Sequence, residues 1–305
     1  MALWMLLTAA VAADSGRSFS VTVARGESLH VVTAGRGEPV VLIPGFFGSA
    51  FGFRKLLPLL EEAGYQPTII EPLGTGWSGR PAHADYSFLA QADRIAAAFD
   101  SLRLTHALVI AHAVGGAMAF RLAYRRPDLV AALVSLEGGP TEQVATAEFR
   151  RGAEFMPWIK LLGGIKLMRK VVRHSLIAAS GDASWVTDSV VVGYTAGAAS
   201  DLDGTLKSYR AMADSRERDH LEPHLPQVRC PVRLVLGGAR HDGGVELQEI
   251  AELKRTVPNF ALESVPGSGH YIQEERAEAL LPILERARAS AGLPPLRKAP
   301  QTNPQ

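Results

Sequence analysis

The sequence predicts an α/β protein built on a doubly wound, mostly parallel β-sheet with an inserted helical cap. Three observations predict it. Short apolar runs without alternation, Val40 to Ile43, Ala107 to Ile110, Leu133 to Leu136 and Val232 to Leu236, read as strands buried on both faces. Amphipathic helical stretches separate the first of these runs, so successive strands need crossover connections, and crossovers give parallel pairing. From Thr141 to about Pro226 the strand rhythm stops, and apart from the ambiguous run Ser189 to Val192 only helical patterns follow. An all-helical insertion between two sheet strands is expected to lie as a lid over the C-terminal edge of the sheet, where open α/β sheets bind ligands.

Each element has its own justification. Phe19 to Val32 alternates around Ala24-Arg25-Gly26-Glu27, as an antiparallel hairpin does. After the strand at Val40 to Ile43 and the corner Pro44-Gly45-Phe46-Phe47-Gly48, Leu56, Leu57, Leu59 and Leu60 give an apolar face to a helix over Phe53 to Ala63. A strand at Thr68 to Ile70 ends in the glycine-rich loop Glu71 to Gly79. It lacks the lysine of a phosphate-binding loop and leads to Arg80-Pro81 rather than into a helix. A helix over Phe88 to Leu102 precedes the strand at 107–110, and the helix after that strand stops near Tyr124, before Pro127. Leu133 to Leu136 is closed by Glu137-Gly138-Gly139-Pro140. Within the insertion, Ala153 to Leu162, Ile165 to Ala178 and Leu202 to Asp214 read as helices. The strand rhythm returns at Val232 to Leu236 and at Ala261 to Val265, and a helix over Glu275 to Ala289 closes the fold. The expected division is a leader at 1–17, a core at 18–140 and 227–290, the cap at 141–226, and a disordered tail at 291–305 rich in Pro, Gln and Asn.

Composition narrows the function. A formal net charge of +1 over 305 residues, without a basic stripe interleaved with aromatics, argues against nucleic acid as a partner and leaves a small molecule. The cluster Lys160, Lys166, Arg169, Lys170 and Arg173 reads as a solvated helix face. The single cysteine, Cys230, excludes an internal disulfide and, just before Pro231 and an apolar run, reads as a buried structural thiol. The nine histidines include one His-x-x-x-His spacing, His220 and His224, with Pro223 inside it and no His-Glu-x-x-His motif, so neither a metal nor a cofactor is expected. Residues 2–13 form an apolar run ending in Ala-Val-Ala, the shape of a signal-peptide core, but no Lys or Arg precedes it. The chain is exported if these residues act as a signal and cytoplasmic otherwise. The run is too short for a transmembrane anchor, and composition does not fix the oligomeric state.

The chemistry-bearing stretch is 107–120, Ala-Leu-Val-Ile-Ala-His-Ala-Val-Gly-Gly-Ala-Met-Ala-Phe. A β-branched run ends at a small-residue corner and passes straight into an Ala-rich helix. In the Gly-x-Ser-x-Gly elbow the serine sits on such a corner, where a strained strand-to-helix turn lifts its hydroxyl above the sheet. Here Ala111 and Gly115 stand for the glycines, and Ala113 occupies the nucleophile position.

Over about residues 18–290 the chain resembles the α/β-hydrolase family. The likeness rests on Pro44 to Gly48, similar to that family's oxyanion loop with proline for the usual histidine, on the Glu71 to Ser78 loop, on the elbow, and on Asp242 and His270 in the order nucleophile, acid, base. The resemblance implies that His270 is the general base and that Asp242, or alternatively Glu137, orients it and stabilises its cation. It also implies an oxyanion hole from the Phe46 and Val114 amides. Phe47, Trp77, His112 and Trp158 are expected to wall the pocket, whereas His241 has no expected role.

Three functions fit. The first is a serine-type hydrolase of a small or medium apolar ester, amide or lactone whose covalent step Ala113 removes. The second is a non-covalent His270/Asp242 acid-base enzyme of lyase, isomerase or cofactor-free oxygenase type. The third is a pseudoenzyme that binds a small ligand without turnover.

Overall fold

The computed structural model of the protein describes residues 16–46, 48–142 and 160–296. The expected leader, the site candidates Phe47 and Trp158, most of the expected helix Ala153 to Leu162 and the tail from residue 297 lie outside them.

Among the described residues one eight-stranded sheet forms, in the order β1-β2-β4-β3-β5-β6-β7-β8. Its strands are β1 (Arg17–Ala24), β2 (Glu27–Thr33), β3 (Glu38–Ile43), β4 (Tyr65–Ile70), β5 (Ala107–His112), β6 (Val130–Leu136), β7 (Val232–Gly237) and β8 (Phe260–Val265). The expected hairpin is β1 with β2. Both the β1–β2 and β2–β4 pairs are antiparallel, and every pair from β4 through β8 is parallel.

Side chains alternate across the parallel strands, and each face has its own core. Val41, Ile43, Val109, Ala111 and Leu133 join a core that includes Ile95 and Phe99 of α2 (Phe88–Leu102), Phe120 of α3 (Gly115–Arg125) and Leu253. Val40, Leu42, Leu108, Ile110 and Val134 face the opposite way, onto Leu56 and Leu60 of α1 (Leu56–Glu62) and onto Ile283 and Leu284 of the closing helix. Burial on both faces explains why these strands carry no polar alternation.

Between β6 and β7 the described chain forms α4 (Ile165–Ala178), α5 (Asp188–Tyr194), α6 (Ala196–Ser200) and α7 (Leu202–Asp214). The ambiguous run Ser189 to Val192 lies inside α5. The Thr187 hydroxyl accepts from the Val190 amide and caps this helix, while Val190, Val191 and Tyr194 bury one face; the cap and the packing override β-propensity. The sequence reading missed α8 (Leu247–Thr256), which buries only Ile250 and Leu253. The expected closing helix is divided into α9 (Ile272–Glu275), a 3₁₀ turn at Ala277–Ala279 and α10 (Leu280–Ser290). No helix among the described residues is long and apolar enough to cross a membrane.

A buried cation ties the crossover helices to the strand ends. Arg121 on α3 is fully buried; it donates to Glu142 at 2.8 Å, lies 3.5 Å from the buried carboxylate of Glu217, and stacks over the Phe88 ring. Arg121→Ala leaves Glu217 buried without its counter-charge and is expected to cost about 3–5 kcal/mol, read from the urea midpoint at unchanged m-value. Cys230 is partly buried, short of the buried thiol expected, yet desolvation pushes its thiol up to about 12. Thiol reagents at neutral pH should therefore modify it at least about tenfold more slowly in the native chain than in denaturant.

Candidate functional site

The end of β5 decides the site's geometry. Ala113 adopts φ +51°, a left-handed conformation that costs an L-residue about 1–2 kcal/mol. Its amide donates to the Leu136 carbonyl at 2.9 Å, and its own carbonyl accepts from Gly116 at 2.8 Å. Small residues are needed because the backbones of three strand ends nearly touch here. A Cβ on Gly115 would lie 2.7 Å from the Ile43 carbonyl, one on Gly116 2.8 Å from the Gly138 carbonyl, and one on Gly138 2.4 Å from the Ala113 carbonyl. The loop after β3 closes over the corner, and a Cβ on Gly45 would sit 3.0 Å from that of Ala113. Val114 stands at the N-terminal end of α3, where an amide has no acceptor within the helix. The corner thus brings Ala113, Val114, His112 and the Gly45 backbone together.

A second carboxylate fastens the surrounding loops. Glu71, fully buried at the end of β4, accepts from the Ala50 amide at 2.8 Å, the Trp77 amide at 2.6 Å and His30 Nδ1 at 3.0 Å. Gly76, at φ +50°, lies so close that a Cβ would overlap the carboxylate. The Ser78 hydroxyl donates to the Glu71 carbonyl and accepts from the His30 amide, and Ser49 caps the turn Ala50–Phe53, so both hydroxyls have structural duties. Trp77 is 50% exposed and contributes little to a core. Glu71→Ala leaves donors of two loops unpaired and should cost about 3–5 kcal/mol, measurable as a lowered urea midpoint.

His270 follows β8. Its amide donates to the Ala179 carbonyl at the end of α4 at 2.8 Å, and its carbonyl meets His112 Nε2 at 3.0 Å. The two rings lie 4.8 Å apart, and Tyr271 packs edge-on to His270 at 5.2 Å, with Trp185 and Tyr194 of the insertion beyond it. Burial pushes His112 down to about 4. Burial, with the neighbouring His112 and His241 rings, holds His270 well below the ordinary histidine value. Both rings are thus neutral at physiological pH.

The acid that meets this histidine group is Glu137. Held at φ +50° at the end of β6, it is buried, accepts from the Gly237 amide, and places Oε2 3.5 Å from His241 Nε2. Burial raises its carboxyl above the usual carboxylate range, against the pull of that amide and of His241. Asp242 is exposed, and its carboxylate has no hydrogen-bond or ion-pair partner among the described residues; only its backbone is engaged, donating to the Ala178 carbonyl.

The comparisons with known proteins agree with this arrangement of strands. A family model described as "alpha/beta hydrolase fold" matches residues 38–160. The structure of the epoxide hydrolase CorEH without ligand superposes with a TM-score of 0.73 at 22% identity, covering 90% of this chain and 99% of that one. This is an α/β-hydrolase-fold protein. Among curated relatives, an uncharacterized hydrolase, YugF, of Bacillus subtilis is 26% identical over 82% of this chain and 89% of its own length. The 2-(acetamidomethylene)succinate hydrolase of Mesorhizobium japonicum is 26% identical over 91% of this chain and 97% of its own.

On this α/β-hydrolase scaffold, sequence reasoning singled out Ala113, His112, His270 and Glu137 but missed His241, Tyr271, Trp185 and Tyr194. Tyr271 follows His270 in the chain but no local pattern marks it, and tertiary packing brings His241 to His270 and Trp185 and Tyr194 to Tyr271.

Proposed function

We propose that the chain is related to the serine carboxylic-ester hydrolases and holds a small or medium apolar ester, amide or lactone over the strand ends, without forming an acyl-enzyme. The observation that carries this reading is Ala113 at φ +51°: the corner keeps a nucleophile's strained geometry and offers a methyl group. A methyl has neither a lone pair nor an ionisable proton, so covalent acyl transfer has no acceptor there. The Phe46 and Val114 amides form the oxyanion hole, which a side-chain change at 113 leaves intact.

In the same reading, residues 18–140 and 227–290 form the core, and 141–226 a lid that excludes water from the substrate. Supporting this are the hydrogen bond from His270 to Ala179 and the Gly181 and Asp182 amides that donate to Glu275, which also accepts from Gly269 beside His270. The 2-(acetamidomethylene)succinate hydrolase among the relatives supports a small-molecule substrate. A second reading is favoured by Glu137 and His241 next to His270. In it His270 shuttles a proton to a bound substrate without covalent attachment, with Glu137 rather than Asp242 as the acid.

The test is Ala113→Ser. The left-handed corner already exists, so the serine adds a hydroxyl at little conformational cost. Hydrolysis of short-chain aryl esters is expected to rise at least about a hundredfold, a fraction of the roughly millionfold that a serine nucleophile is worth. Adding His270→Ala should abolish the gain. No rise in a folded variant would refute the hydrolase lineage of the site, and turnover by the unmodified chain that His270→Ala removes would favour the acid-base reading.

A further inference from the structure

Glu137, His241 and His270 reach one point from three loops, after β6, β7 and β8. Glu137 Oε2, His241 Nε2 and His270 Nδ1 are each buried without a hydrogen-bond partner, and all lie within 4.8 Å of one another. The Glu137 and His241 side chains are only 1% and 8% exposed.

The remaining atoms of the first two are committed. Glu137 Oε1 accepts from the Gly237 amide, and His241 Nδ1 meets the Ala239 carbonyl at 2.7 Å. A carbonyl only accepts, so Nδ1 carries the proton, and Nε2 of the neutral ring presents a lone pair. That lone pair faces a carboxylate oxygen 3.5 Å away which, when ionised, also only accepts. Two acceptors opposed in a dry site are unfavourable unless a proton or a cation lies between them. The Gly243 backbone approaches His270 Nδ1 without making a hydrogen bond of proper geometry, so it does not complete the group.

We propose that Glu137, His241 and His270 bind a divalent first-row transition cation of the zinc class. Two imidazoles and one carboxylate are the donors such a cation takes, and the hydrogen bond from His241 Nδ1 to Ala239 fixes the ligating tautomer. Bonds of about 2.0–2.2 Å place ligand atoms roughly 3–3.5 Å apart. The Glu137–His241 pair already has that spacing, and side-chain rotation brings in the third atom. Gly243 and Gly244 flank the cluster at ordinary van der Waals distance. A Cβ on Gly243 would lie 3.6 Å from His270 Nδ1, and one on Gly244 3.6 Å from His241 Nε2 and 3.8 Å from Glu137 Oε2. Linear spacing could not reveal this site, because its ligands are adjacent only across the sheet edge. The expectation of no metal rested on that spacing alone.

The inference goes beyond the proposed function, and its readout, metal stoichiometry, is independent of ester turnover. Untagged full-length protein is stripped with chelator, dialysed against zinc chloride, and measured for bound zinc, affinity and thermal midpoint. One equivalent per chain is expected, with a raised midpoint. His241→Ala and Glu137→Gln should each weaken binding at least about a hundredfold, more than loss of an outer-shell partner gives. Glu137→Gln retains an acceptor for the Gly237 amide, so it preserves the loop contact, and circular dichroism checks both folds. Asp242→Ala should bind as the parent does. No saturable zinc in the parent would overturn the proposal and leave a shared proton between Glu137 and His241. Retention of full affinity by both folded variants would overturn it equally.

Discussion

The close approach of three backbones at the end of β5 constrains the rest of the molecule. The N-terminus of α3 can enter between the ends of β3 and β6 only if residues 115, 116 and 138 have no side chain, since each Cβ would come within 3 Å of a neighbouring carbonyl. That wedge fixes where the helix begins, and the helix start fixes which amides lie free beside the corner. The loop after β3 must then pass over Ala113 as bare backbone at Gly45. Few side chains at this point are chosen for chemistry. Most are chosen to be absent.

Two buried carboxylates, at the ends of β4 and β6, illustrate opposite solutions to the cost of burial. Glu71 is fully engaged, with two backbone amides and one imidazole on its oxygens, and so acts as a rivet between loops. Glu137 accepts from the Gly237 amide at Oε1, while Oε2 lacks a hydrogen bond of proper geometry and lies 3.5 Å from His241 Nε2. A buried oxygen left in that state costs free energy unless something binds it. Stability alone explains Glu71 and does not explain Glu137.

Much of the fold was legible because its strands are buried on both faces, which writes them as unbroken apolar runs. The hairpin, the four central strands and α2, α4 and α7 follow from local pattern. Helix α8 was not legible, since it packs with only two buried side chains, and α5 was ambiguous because its valines favour strands until the Thr187 cap and tertiary packing decide. At the site, Ala113 and His270 could be read because an elbow and a strand-end histidine have local signatures. Asp242 attracted the acid assignment by chain order; its side chain is exposed, whereas Glu137 is buried beside His241. His241 becomes a neighbour of Glu137 only through the pairing of β6 with β7, which a single loop sequence does not encode.

The strain at Ala113 bears on what the site retains. A left-handed alanine costs about 1–2 kcal/mol, and with no hydroxyl to aim it serves no nucleophile. The same turn, however, sets the N-terminus of α3, and with it the Val114 amide, against the Gly45 backbone. Relaxing the corner would pull that helix end from its wedge and withdraw the amides together with the methyl. The left-handed geometry of the corner is therefore held by the packing of the backbone. In the proposed reading, electrostatic stabilisation of a substrate oxygen outlasts the loss of covalent chemistry because amides, unlike a serine hydroxyl, cannot be removed by a single substitution.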